Sequence, residues 1–390
     1  MENLLIKLLK FPLLILIVIV LMSAGFFKIM KSNSRMETDL DEYMPQDHPA
    51  FVYSDQAEEW FNIKDGVIIA VENQDGIYQT STLKKVTDLT KKLQKMDEIS
   101  KNDVTSLYTA DNIIGTELGL DVKPFFNKVP QTEQELTALR NSVRDNEMIY
   151  QRLVNTEETV TVIIAEIGDD VFSQEFYHRL LDLAKEYEGP ENLYVAGRPI
   201  VEGTMAYLGP RDMQRMIPIV IAVIILVLLL VQRSFKAGLF TLLVVLFSVI
   251  WTFGLMAALR VPIYAVSTMI PVMLIAIGVA DGIHLYSHLH LFLKENPQAD
   301  RKTAVFDMLK GMWRPVVMTS VTTSVGFISL LTSQVYPIKY FGLFTAFGVL
   351  MAMVFSLLML PAGLLVFGLP RWKNKDENGI KSNNRFFNAI

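Results

Sequence analysis

The chain has 390 residues, no cysteine, a net charge of −5, 51% hydrophobic residues and a mean hydropathy of +0.32. That balance is too apolar for an ordinary soluble enzyme of this length, and the missing cysteines exclude disulfides and thiolate metal sites. Between Ser32 and Asp212 stand 17 Lys and Arg against 34 Asp and Glu, net −17, while the remainder of the chain carries +12, so the protein has two electrostatic parts.

A hydrocarbon core is crossed by about 20 helical residues. Six apolar runs reach that length: Phe11 to Met30, Met213 to Gln232, Leu239 to Leu259, Ser267 to Leu291, Pro315 to Ser333 and Pro337 to Gly368. The first follows Lys7 and Lys10, with Ser23-Ala24-Gly25 as a weak processing site, but its apolar character continues through Phe26 and Phe27, which favours an uncleaved span. Between spans one and two the pattern changes. Val67 to Val71 reads as a strand, and Leu83, Val86, Leu89, Leu93 and Met96 mark one helix face. Val104 to Leu107 and Val160 to Ile167 read as further strands, Phe172 to Tyr187 as an amphipathic helix, and Leu193 to Ala196 as a fourth strand. With Ala110 to Asn146 set aside as an inserted helical subdomain, the order is βαββαβ, and the predicted fold is an α-helical membrane protein carrying a ferredoxin-like α/β domain. The predicted boundaries are 1–31 for the first transmembrane helix, 32–212 for the α/β domain, 213–370 for helices two to six and 371–390 for a polar tail.

Short-loop cations set the orientation. Arg233 and Lys236 share one loop, Lys294, Arg301, Lys302, Lys310 and Arg314 another, and Arg371, Lys373 and Lys375 follow the last span; loops of opposite parity carry only Arg260 and Lys339. Both termini are therefore expected in the cytoplasm and the acidic domain outside it. Its acidity could gather cations, though a solvated surface is the favoured explanation.

The fourth span reads "IAIGVADGIHLYSHLH", and Asp281 is the one acidic residue inside any of the six spans, with no Lys or Arg deep enough to neutralise it. A lone carboxylate in hydrocarbon costs at least a few kcal/mol, so it is expected to face protein or a watery cavity and to hold a proton until water or a donor approaches. His284 and His288 follow at helical spacing toward the cytoplasm and offer a short proton path. The same residues could ligate a metal, but no fourth ligand is visible. The fifth span, "MTSVTTSVGFISLLTS", is dense in hydroxyls. Counting about 1.5 Å per residue from the cytoplasmic ends puts Thr323 level with Asp281, so Thr322, Thr323 and Ser324 are the predicted hydrogen-bonding neighbours. Close helix packing is the competing explanation for such hydroxyls and for the glycines. No Gly-Lys-Ser/Thr phosphate loop occurs, which argues against a built-in ATPase.

One span, an outer α/β domain and five further spans, with "GVADGIHL" in the fourth, "RPVVMTSVTTSVGFISL" in the fifth, "YMPQDHPAF" after the first and Pro361 in "LLMLPAGLL", resemble one half of a resistance-nodulation-division (RND) superfamily exporter. The nearest branch is the lipid-exporting one related to the mycobacterial large membrane proteins. The resemblance implies proton-driven export by alternating access in a bacterial or archaeal inner membrane, with Asp281 as protonation site, the outer domain as porter, and no cofactor, nucleic acid or enzymatic activity. The expected substrate is amphipathic, lipid-like or drug-like. The branch often has two acidic or Asp-Tyr residues where Ala280 and Asp281 stand, its drug-efflux relatives use a membrane lysine from a second half, and its usual members have two halves; pairing with a second half-unit or a second copy is therefore expected. A secretion accessory of the same plan and a sterol-sensing-like lipid sensor remain open as alternatives.

Overall fold

The computed structural model describes residues 2–45, 47–61, 65–116, 119–168, 173–232 and 234–370. The predicted tail, with Arg371, Lys373 and Lys375, lies outside them, as do Arg233 and Phe172. In chain order the elements are α1 (Glu2–Leu8), α2 (Pro12–Asn33), α3 (Pro49–Phe61), β1 (Gly66–Glu72), α4 (Thr80–Leu93), β2 (Val104–Thr105), β3 (Asp111–Thr116), β4 (Gly119–Pro124), α5 (Glu133–Arg144), β5 (Val160–Glu166), α6 (Gln174–Glu186), β6 (Asn192–Ala196), α7 (Arg198–Gln232), α8 (Phe235–Ala258), α9 (Ile270–Glu295), α10 (Arg301–Ile328) and α11 (Tyr336–Phe367). Two compact units result: Met1–Glu37, Glu42–Pro45 and Gly209–Ile390 form one, and Thr38–Asp41 with Gln46–Leu208 the other.

The first unit is a helical bundle. Among the described residues, six helices, counting α9 with the one-turn helix before it and α10 with the one after, are long and apolar enough to cross a membrane. Two begin or extend well beyond the apolar runs. α10 starts at Arg301 rather than near Pro315, because Ala304, Val305, Met308 and Leu309 form a buried stripe that continues the helix through a charged segment. α7 starts at Arg198 and contains Pro210 and Pro218. α8, α9 and α11 supply most of the buried surface, whereas α2 and α7 expose Leu21, Ile219, Leu226 and Leu230, side chains that suit hydrocarbon and not water. Hydrogen bonds cross between helices where lipid would otherwise leave donors unmet. The Trp251 indole N–H donates to Ser23 Oγ at 2.8 Å and joins α8 to α2, and Gln232 Nε2 donates to Thr241 Oγ1 at 3.2 Å and joins α7 to α8.

The second unit is built on a four-stranded antiparallel sheet in the order β2-β5-β1-β6. Alternation places Val67, Ile69, Val71, Ile163 and Ala165 on one face, against Val86, Leu89 and Leu93 of α4 and Phe176, Leu180 and Leu183 of α6. Val162 and Ile164, pointing the other way, meet a second cluster with Leu139 and Val143 of α5 and Phe126. α5 begins with a capping box: Thr132 Oγ1 accepts from Glu135 N–H, and the Glu135 carboxylate accepts from Thr132 N–H at 3.2 Å. After β6 the chain turns at Gly197, φ +121°, where an added Cβ would overlap the Gly66 carbonyl.

Two expectations need correction here. The segment Ala110 to Asn146 is not wholly helical, because β3 and β4 form a two-stranded ribbon ahead of α5. The ribbon exposes Ile113, Ile114 and Val122, with Leu120 at 75%, so it lacks the one-sided burial that marks a strand in sequence. The strand expected over Val104 to Leu107 stops at Thr105, because Ser106 leaves the sheet to bond Thr90 and Thr109.

Candidate functional site

Asp281 lies in mid-helix on α9 and is 6% exposed. Its neighbourhood is set by close helix approach. Gly278 and Gly282 sit one turn apart on the α9 face that meets α8: a Cβ on Gly278 would come within 2.9 Å of Val245 Cγ2, and one on Gly282 within 2.5 Å of Thr241 Cγ2. Only hydrogen fits at both places, so α9 approaches α8 closely on either side of Asp281. A Gly282→Leu variant is expected to force α8 and α9 apart and cost about 1–3 kcal/mol, read as a lowered Tm of the detergent-solubilised protein; an unchanged Tm would show that the contact is not tight.

The hydroxyl that meets the carboxylate belongs to Ser320, 3% exposed, whose Oγ donates to Asp281 Oδ2 at 3.5 Å. That distance is the outer limit of a hydrogen bond, so the contact orients the acid more than it stabilises its charge. Among the described residues no ion pair reaches Asp281.

The predicted hydroxyl set is therefore corrected. Thr322 is exposed and its hydroxyl bonds the Met318 and Thr319 carbonyls at 2.9 Å; Ser324 is buried but bonds the Ala346 carbonyl at 3.3 Å, tying α10 to α11; Thr323, half-buried, makes no hydrogen bond to Asp281. Depth alone does not select the partner, because α10 begins at Arg301 and rotation about its axis decides which hydroxyl faces α9. Val316, Ser320 and Ser324 recur every four residues, and that buried stripe carries the signal that singles out Ser320. The proposed line of histidines also separates. His284 turns to the exposed side of α9, and His288 Nε2 lies 3.3 Å from Asp307 Oδ2 on α10, where its ring rests on Gly311. Among the described residues no three His, Asp or Glu side chains gather as a metal site.

Six apolar helices long enough to cross a membrane, with a buried acid inside one of them, describe a membrane protein of transporter-like class. The MMPL family model matches residues 42–388, and the chain belongs to that family, within the RND superfamily. It is also similar to MJ1562 of Methanocaldococcus jannaschii, a membrane protein by its name, at 23% identity over 376 residues that cover 91% of this chain and 90% of that one.

Proposed function

We propose that this chain is a half-unit of a proton-coupled exporter that moves a lipid-like or otherwise hydrophobic substrate by alternating access. The observation that carries the reading is Asp281: an acid buried in a candidate span, held between two glycines and touched by one weak donor. A carboxyl so placed is costly as an anion and cheap as an acid, so its occupancy by a proton is tied to which helix arrangement surrounds it. The strand order β6-β1-β5-β2 with two helices on one face supports a ferredoxin-like porter domain, and the loop cations favour both termini in the cytoplasm with that domain outside. On this reading residues 32–212 are the porter, and His284 is an accessory at the rim of the proton route rather than a link from Asp281.

Part of the outward surface supports pairing with a second half-unit or a second copy. Ala276, Ala280, His284 and Ser287 of α9 and Thr319 and Thr322 of α10 are small or polar and exposed, alongside the exposed Met318 and Val325 of α10, a mixed surface that suits another helix pair. The test is reconstitution in vesicles with an imposed pH gradient and a fluorescent lipid analogue. Movement that follows the gradient and stops with a protonophore is the expected result. Lipid binding without movement at any gradient would reject export and favour a sensor.

A further inference from the structure

The end of the helical unit where α2 and α10 begin and α11 finishes holds a groove that proton coupling does not use. Leu5 and Leu9 are buried in a core shared with Ala304, Val305 and Met308 of α10, so α1 packs on α10 before α2 begins at Pro12. Between the α1–α2 turn, the first turns of α10 and the end of α11 is a cavity of about 870 Å³. Ile6, Leu9, Phe306 and Leu365 form its apolar wall, and Lys10, Arg301 and Lys302 its cationic rim. Asp300 also lines it, but its carboxylate is spent as the cap of α10, accepting from Lys302 N–H at 3.2 Å, Thr303 N–H at 3.5 Å and the Thr303 hydroxyl. Arg301 is aimed across the opening by its Nη1 hydrogen bond to the Leu365 carbonyl at 3.0 Å.

Three cations from two distant parts of the chain thus stand over a wall of hydrocarbon, at the level where three spans end. A free anion would use the rim and leave the wall idle, and an uncharged chain would do the reverse. We propose that this groove binds an anionic phospholipid of the surrounding leaflet, its phosphate on Lys10, Arg301 and Lys302 and its upper acyl chain along Ile6, Leu9, Phe306 and Leu365. Basic pockets between helix ends are suited to such headgroups, and the lysine and arginine stems can lie on the wall while their charges reach the phosphate. The proposal does not depend on Asp281 carrying a proton, nor on which side of the membrane the groove faces.

The test is thermal unfolding of the full chain in neutral detergent, titrated with phosphatidylglycerol, with phosphatidylcholine of the same chains, and with inorganic phosphate. Phosphatidylglycerol should raise the midpoint where the other two do not. Lys10→Gln with Arg301→Gln and Lys302→Gln should weaken that effect about 10- to 100-fold, whereas Arg301→Lys with Lys302→Arg should preserve it. Lys10 is exposed at the α1–α2 turn, so Lys10→Glu alone serves if the triple variant misfolds, and it should also weaken the phosphatidylglycerol response. Equal responses to the two lipids, a variant that keeps the preference, or a phosphate response equal to that of phosphatidylglycerol would each overturn the proposal.

Discussion

Asp281→Asn should abolish gradient-driven transport and leave the protein folded. Asparagine keeps the size and the polar end of aspartate, so the packing between Gly278 and Gly282 and the contact with Ser320 survive. What it removes is the capacity to take and release a proton, and no other acid lies inside the described spans' apolar cores to substitute for it. Because a buried acid without an ion-pair partner does not stabilise a fold, the amide should melt at the same temperature as the wild type or higher. That pairing of outcomes separates a functional acid from a packing residue: transport at wild-type rate rejects the proton-carrier role, and a large drop in Tm reassigns Asp281 to structure. Ser320→Ala should act in the same direction but weakly. A hydrogen bond at 3.5 Å contributes at most about 1 kcal/mol, hence a loss of transport of about fivefold or less.

The second large effect is expected far from the bundle. Glu158, 3% exposed and in the left-handed region at φ +56°, is gripped from one helix by two guanidinium groups: Arg140 Nε donates to Oε2 at 2.6 Å and Arg144 Nε to Oε1. Burial alone would push its pKa up, but the Arg140 and Arg144 hydrogen bonds outweigh burial and hold it below the ordinary 4.5. Glu191 behaves alike: burial opposes its charge, and Lys85 at 2.6 Å with Thr82 at 2.9 Å brings its pKa below 4.5. Replacing both Arg140 and Arg144 with alanine strands a buried carboxylate, and the α/β unit should lose about 3–5 kcal/mol. Two carboxyls that titrate lower folded than unfolded contribute stability that is full above pH 4.5 and is lost as the pH falls through their lower folded values. The wild type should therefore unfold more readily below pH 4.5, and the double variant should show a shallower acid slope as well as a lower Tm. If the wild type loses no more stability between pH 7 and pH 4 in urea unfolding than the double variant does, the clamp drops out of the account.

Much of the fold was legible because its signals are local. Apolar runs located the six long helices, alternation found β1 and β5, and the isolation of Asp281 in an apolar helix stood out without any structure. What escaped depends on geometry that sequence spacing does not carry. Rotation and tilt decide that Ser320 rather than Thr322, Thr323 or Ser324 meets the acid, and the turn of α9 sends His284 outward while Asp281 points in. The Glu158 clamp joins residues 14 and 18 positions apart through a reversal of the chain, and the β3–β4 ribbon buries neither face strongly enough to leave a period. α3, rich in Asp, Glu and aromatic side chains with none buried, likewise offers no apolar stripe to read.

The glycine pair beside Asp281 has a further meaning for how such a protein diverges. Since the close approach of these two glycines to Val245 and Thr241 of α8 seats this stretch of α9, substitutions on its exposed side leave that contact untouched. One side of the helix is held by steric necessity and the other is open to change, so the outward surface can vary while the surroundings of the acid stay as they are.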